Sequence, residues 1–348
     1  MEKSPKKERL SDLFTIPMTE EEAKTMHKFK DYLLNEQILY DSDKFDDGYL
    51  IRFLRARKLN LKKSAEMFAN FLKWRQVNGV DEIHLFEFSE YQKVKMYYPC
   101  GFHKTDREGR PLYIDRVGML KVDQIFNVTN PDRLLNYCIQ QHEYCLNTIF
   151  PACSKENNKY IFQTFSVFDL KGLSSKHLSK KVYDFIKLTT SSSQDNYPEM
   201  LGQLFIINAG LMFKAAWAVI KAFIDEKTRK KVVTLDKKFH KKLFKFVDPQ
   251  NFPKVLGGEC VCEPYGCMIS DKGPWNPDGN KLENIDSELL ESIKKEMDIT
   301  SENIGGNKDE AEEKEEVVIV NVEVEEKNVL ENSPNNNNII EVNGNNNL

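Results

Sequence analysis

The chain has 348 residues, 40% hydrophobic and 11% aromatic, with a formal net charge of -4. That is ordinary globular composition with enough length for a substantial core, and seven cysteines, odd in number and scattered, exclude a disulfide scaffold. The charge is uneven: residues 301–348 hold 12 acidic against 3 basic residues, leaving the first 300 with a surplus of +5, which suits an anionic membrane surface but is too small to argue for nucleic acid.

Residues 1–18 read as a flexible leader without a secretory-type apolar stretch, which predicts a cytoplasmic protein. Residues 19–80 read as a helical lobe. Thr19 followed by Glu22 is a capping-box pattern opening a helix through TMHKFKDYLL. A second helix is predicted over Asp47 to about Lys58, with Leu50, Ile51, Phe53 and Leu54 as its apolar stripe, and a third from Leu61 to Asn78, with Phe68, Phe71 and Leu72 at helical spacing and Gly79 as the stop.

Over residues 85–270 the pattern alternates. RPLYIDRVG is a strand, and NPDRLLNYCIQQHEYCLNTIF a long helix with Asn130 as cap and Pro131 at its first position. Then follow the strand YIFQTFSVFDLKG, the helix SSKHLSKKVYDFIKLTT, the strand QLFIINAG, the apolar segment LMFKAAWAVIKAFI and the strand KKVVTLD. This βαβαβαβ order predicts an α/β domain with a mostly parallel sheet. Residues 271–348, acidic and then Asn-rich, read as a largely disordered tail in which VVIVNVEVEEKNVL could form a transient strand.

Two segments admit two readings each. In the strand Ile161 to Leu170, alternation puts Phe162, Thr164, Ser166 and Phe168 on one face, and buried hydroxyls there need partners: water and backbone, or a polar head group in a cavity. LMFKAAWAVIKAFI is apolar nearly all round except Lys214 and Lys221, and at roughly 21 Å it is too short to cross a bilayer core of about 30 Å. It is either a buried core helix or a lid whose apolar surface, with Trp217 and the lysines, meets a bilayer in another state.

Positive signs of catalysis are missing. No GxSxG elbow, Walker-type loop, GxGxxG fingerprint or HExxH pattern occurs, and the six histidines are dispersed, so no catalytic residue is expected. Cys260, Cys262 and Cys267 cluster, but no histidine or fourth cysteine near them in sequence completes a zinc site, so no metal is expected and they read as incidental loop cysteines.

At LIRFLRARKLNLKKSAEMF, FHKTDREGRPLYIDRVG, FPACS, SVFDLKGLS, NYPEMLGQLFIINAG and FPKVLGG, in that order, the chain resembles the CRAL-TRIO lipid-binding family, close to the fungal-type phosphatidylinositol/phosphatidylcholine transfer proteins, over roughly residues 45 to 275. The resemblance implies a helical N-terminal lobe packed on a mostly parallel α/β lobe with a lipid pocket. A gate helix would close that pocket, with Met212, Phe213, Trp217, Ile220 and Phe223 on LMFKAAWAVIKAFI. It thereby turns the lid reading into the expected one and makes the hydroxyl strand the pocket floor.

The resemblance further implies an inositol phosphate held by Arg57, Glu199, Thr228 and Lys231, with Asp106 nearby; cations would neutralise the phosphodiester while carboxylates and a hydroxyl read the ring. For phosphatidylcholine it implies Tyr113, Tyr144, Tyr197, Thr164 and Ser166, aromatic faces suiting a quaternary ammonium. Two positions depart from that set: Met200 stands for an Arg and Phe102 for a Tyr, which weakens the choline site more than the inositol one.

The expected protein is a monomeric, non-enzymatic carrier with a non-covalent phospholipid as its only ligand. It would visit Golgi or other endomembranes transiently and present its lipid to lipid kinases. The alternatives are a carrier of a sterol, tocopherol or retinoid, which would not need Lys231 and Glu199 together, and a lipid-regulated interaction module.

Overall fold

The computed structural model describes residues 9–210, 213, 217, 221, 226–280, 285–293 and 295. Of the tail read over residues 271–348, residues 271–280, 285–293 and 295 are described, with a helical stretch from residue 287, while the remainder with its candidate strand lies outside the described residues, as do Met212, Ile220 and Phe223 of the proposed gate. Contacts divide the chain into Met1–Gly305 and Gly306–Leu348, the second unit falling wholly outside the described residues.

After a single turn, α1 (Leu10–Leu13), helix α2 (Glu20–Asn35) opens on the predicted box: Thr19 Oγ1 accepts from Glu22 N, and Glu22 Oε2 accepts from Thr19 N. α3 (Asp47–Ala56) is capped by Asp46, and α4 (Leu61–Val77) by Asn60. α3 stops short of Lys58, because Lys58 and Leu59 adopt left-handed backbone angles that turn the chain into the Asn60 cap. Met26, Phe29 and Leu33 from α2 meet Leu50, Phe53 and Leu54 from α3 and Phe68 and Phe71 from α4 in one aromatic core. Its Phe53 ring lies 5.1 Å from both Phe68 and Phe71.

Following α5 (Tyr91–Tyr97), five strands form one sheet in sequential order: β1 (Cys100–Thr105), β2 (Pro111–Asp115), β3 (Thr164–Asp169), β4 (Leu201–Ile207) and β5 (Val232–Thr234). β2 to β5 are parallel. β1 is an antiparallel edge strand added by a hairpin to β2, beyond the strands expected from the sequence. Helices α6 (Val122–Val128), α7 (Pro131–Tyr144) and α8 (Phe150–Asn157) connect β2 to β3, and α9 (Lys180–Asn196) connects β3 to β4, as parallel pairs require. The single long helix expected from Asn130 onward is two helices joined by a π-turn at Cys145–Ile149.

Strand alternation gives the sheet two unlike faces. Leu112, Ile114, Phe165, Val167, Phe205 and Ile207 pack with Phe239, Leu243 and Phe252 in a sealed core. The opposite face carries the predicted hydroxyls: Ser166 sits in register with Tyr113 on β2 and Leu204 on β4.

Asp115, at the end of β2, is buried, and burial pushes its carboxyl up to about 7 although Tyr98 donates to Oδ2 at 2.6 Å. An unfolded aspartate titrates near about pH 4. Between about pH 4 and pH 7 the folded state therefore keeps a proton that the unfolded state releases, and stability falls as pH rises through that window. Asp115→Asn is expected to abolish the fall and to stabilise the protein by up to about 4 kcal/mol at about pH 8. Denaturant titrations at about pH 5 and pH 8 check this; a wild-type midpoint that does not decline contradicts it.

Candidate functional site

The N-terminal ends of β3 and β4 collect the polar chemistry. Glu199, two residues before β4, holds a left-handed backbone (φ 61), which a non-glycine residue adopts only at a cost of about 1–3 kcal/mol. Its carbonyl accepts from Arg52 Nη1 at 3.3 Å, and the other Arg52 nitrogen donates to the Phe162 carbonyl at 2.9 Å. Arg52 is buried on the apolar stripe of α3, its guanidinium over the rings of Phe150 and Phe162. It fixes the Glu199 backbone from the helical lobe.

With its backbone so held, the Glu199 carboxylate lies 2.6 Å from Lys227 Nζ and 3.4 Å from Lys231 Nζ, and Lys231 also donates to the Leu201 carbonyl at 2.6 Å. Lys227 lies in the short helix Glu226–Lys230 and Lys231 directly follows it, four residues on and so on the same side. These groups line a cavity of about 560 Å³ with Arg55, Glu22 and Phe162. Arg55 closes its rim with two hydrogen bonds to Glu22, whose carboxyl is held below its ordinary range chiefly by that guanidinium. Three cations against two carboxylates leave a surplus for one more anionic group.

Of the residues assigned to an inositol phosphate, Glu199 and Lys231 therefore meet, and Thr228 sits in the same helix, its carbonyl accepting from Lys231 N at 3.0 Å. Arg57 caps the end of α3, where its Nη1 donates to the Ala56 carbonyl; it does not line this cavity. Asp106 is placed elsewhere. Its oxygens accept from Glu108 N, Arg110 N and Arg110 Nε at 2.7–3.0 Å, so its carboxylate builds the β1–β2 turn. Lys227 and Arg52 were not anticipated: Lys227 could have been found from its four-residue spacing to Lys231, and Arg52 from its position between Ile51 and Phe53.

The residues assigned to a choline lipid divide likewise. Thr164 and Ser166 lie side by side, Oγ1 to Oγ 3.4 Å, both buried on the face of the sheet opposite the Phe165 and Val167 core. Tyr113 faces Ser166 in register and meets Phe102 edge-on at 5.1 Å. Tyr144 donates to Asp271 Oδ2 at 2.9 Å, and Trp275 Nε1 donates to Asp271 Oδ1 at 3.0 Å, so these three form an aromatic and acidic edge near Phe102. Tyr197 belongs instead to a structural network, donating to Glu143 Oε1 at 2.8 Å and stacking on His142. Met200 packs among apolar side chains with Phe102 and Ile149, and its carbonyl accepts from Thr164 N.

Of the expected gate residues, Phe213 and Trp217 are described. Their rings stack at 5.6 Å and pack on the cluster of Leu170, Leu204 and Ile206, on the same face of the sheet as the hydroxyls. Among the described residues no helix is long and apolar enough to cross a membrane.

Cys260, Cys262 and Cys267 acquire in the fold a neighbour that their sequence positions do not offer. His103, on β1, comes together with them so that one ligand atom of each residue lies within 4.8 Å of the others. The sequence conceals the fourth partner because the sheet brings it from far up the chain.

A helical lobe on a five-stranded, mostly parallel sheet with an ionic pocket at the strand ends defines a class that sequence comparison identifies. The chain belongs to the CRAL/TRIO family, matching the CRAL/TRIO domain over residues 95–258 and the CRAL/TRIO N-terminal domain over residues 19–70. It is 39% identical over 244 residues to the Sec14 cytosolic factor of Schizosaccharomyces pombe, covering 70% of this chain and 85% of that protein. It is 39% identical over 282 residues to phosphatidylinositol/phosphatidylcholine transfer protein SFH12 of Arabidopsis thaliana, and 40% identical over 260 residues to SFH9 of the same plant. The matches cover 78% and 74% of this chain, which spans about half the length of those two relatives, 52% and 45%. The crystal structure of Sfh5 shares the fold, with a TM-score of 0.53 at 17% identity over 82% of this chain and all of that one.

Proposed function

We propose that the chain is a non-enzymatic carrier that encloses one phospholipid, phosphatidylinositol in the first place, and exchanges it at membrane surfaces. The observation that carries the reading is the cluster of Glu199, Lys227 and Lys231 in a cavity at the ends of β3 and β4. Two lysines suit a phosphodiester, and a carboxylate suits the hydroxyls of an inositol ring. The segment Glu199–Leu201 joins this cavity to Thr164, through the Met200 carbonyl, and so to the hydroxyl face. Phosphatidylcholine is the second ligand of this reading, its head group near Tyr113, Tyr144, Thr164 and Ser166, because the S. pombe relative's plant counterparts are named for both lipids.

The need for enclosure is energetic. A phospholipid carries about 30 methylenes, each costing roughly 0.8 kcal/mol in water, so unassisted monomer transfer faces a barrier of order 20 kcal/mol. In this reading residues 19–80 and 85–270 act together, and the segment holding Phe213 and Trp217 opens at the bilayer, lets the lipid exchange, and closes. A cytosolic monomer that visits endomembranes and hands phosphatidylinositol to lipid kinases completes the picture. The test is transfer of labelled lipid between vesicles. Phosphatidylinositol is expected to move, whereas transfer of a sterol alone would favour the other carrier reading.

A further inference from the structure

We infer that His103, Cys260, Cys262 and Cys267 form a structural zinc site that fastens the segment after the sheet to the edge strand β1. Four ligand atoms mutually within 4.8 Å come from residue types that bind zinc in closed Cys3His sites. Cys260 Sγ and Cys262 Sγ are 3.7 Å apart. That is far beyond the roughly 2 Å of a disulfide and close to the edge of about 3.8 Å that a tetrahedron with Zn–S bonds of about 2.3 Å requires.

The histidine is prepared for the role. It is fully buried, and its Nδ1 stands 3.4 Å from Ser270 Oγ, which itself donates to the Cys267 carbonyl at 3.3 Å. In the zinc-bound form Ser270 Oγ would accept from Nδ1–H, leaving the lone pair on Nε2 for the metal. Nε2 is buried with no hydrogen-bond partner, a cost that ligation removes.

The backbone brings the sulfurs round. Cys260 N donates to the Phe252 carbonyl, and Gly266 N donates to the Cys262 carbonyl at 2.6 Å; Gly266, at φ 72, takes the left-handed turn that returns Cys267. Three thiolates and one divalent cation sum to a single negative charge, and Lys95, Arg116 and Lys254 line the adjacent cavity of about 480 Å³. With four protein ligands no position is left for substrate, so the site is structural.

What it holds is the edge of the sheet. The segment runs along β1, the Met268 carbonyl lying where a side chain at Gly101 would stand (2.7 Å from an added Cβ) and the Lys272 carbonyl accepting from Lys104 N. This covers an edge strand that would otherwise be open to pairing with other chains. Four residues beyond Cys267, Asp271 reaches Tyr144 and Trp275, so the metal also sets the aromatic edge near Phe102.

The full chain, purified reduced and without added metal, is expected to carry about one zinc per molecule by elemental mass spectrometry. Cys262→Ser should lower that content at least about fivefold, His103→Cys should retain it by completing a four-thiolate set, and Cys153→Ser, outside the cluster, should leave it unchanged. Cobalt(II) added to metal-stripped wild type should give the visible absorption of a tetrahedral thiolate site, a readout independent of whether any variant folds. Reduced wild type that holds no zinc and gives no cobalt spectrum would overturn the inference, as would a native disulfide among the three cysteines. Lipid transfer is not part of the readout, so failure of the carrier reading would leave this result standing.

Discussion

Lys231→Ala is expected to reduce phosphatidylinositol transfer by at least about tenfold while phosphatidylcholine transfer falls less than about twofold, the tenfold loss corresponding to one charge-assisted hydrogen bond to a phosphate. The substitution is mild for the fold. Glu199 keeps Lys227 at 2.6 Å, and its backbone remains held by Arg52, so no carboxylate is left without a cation. The effect should therefore appear in the lipid that presents inositol and not in the thermal midpoint. Vesicle transfer assays with each lipid separately decide the matter, and equal losses for both lipids contradict the assignment.

The largest stability effect is expected at Arg75. This side chain is 5% exposed and donates to Asp81 at 2.6 Å and to Glu143 at 2.5 Å, with its guanidinium over Phe71. Glu143 is itself 12% exposed and accepts from Tyr197, which stacks edge-on with Trp74. Removing Arg75 leaves the buried Glu143 carboxylate without a cation, and Arg75→Met should cost about 3–5 kcal/mol. Asp81→Asn should cost less than about 1 kcal/mol, because Asp81 is mostly exposed. Combining Arg75→Met with Glu143→Gln should recover much of the loss, since the penalty lies in the stranded carboxylate. Denaturant midpoints of the three variants test this; equal costs at Arg75 and Asp81 would contradict it.

What the sequence made legible follows from how locally each feature is encoded. The Thr19–Glu22 box and the Asn130–Pro131 start are contained within a few residues, and both stand as helix N-termini. The alternation of Thr164 and Ser166 with Phe165 and Val167 was readable because one strand carries two faces of different polarity. β1 escaped because CGFHKT has too little apolar alternation to announce a strand; its pairing to β2 and the Asp106 turn make it one.

The candidate site was legible where motifs carried it and obscure where the fold assembled it. Glu199 and Lys231 were named in advance, but Arg52 had to be seen bridging lobes, and Asp106 shows that an acidic residue next to a motif can be wholly engaged by its own turn. His103 is the clearest case. In sequence it is one of six scattered histidines, and only the edge of the sheet sets it against three cysteines from beyond the sheet.

The central claim, that the chain encloses a phospholipid, is met most directly by native mass spectrometry of the full chain purified without detergent, followed by extraction and identification of its lipid. The account predicts a complex heavier than the bare chain by one phospholipid, with phosphatidylinositol among the extracted species. A chain found only at its own mass, yielding no phospholipid on extraction, would contradict it.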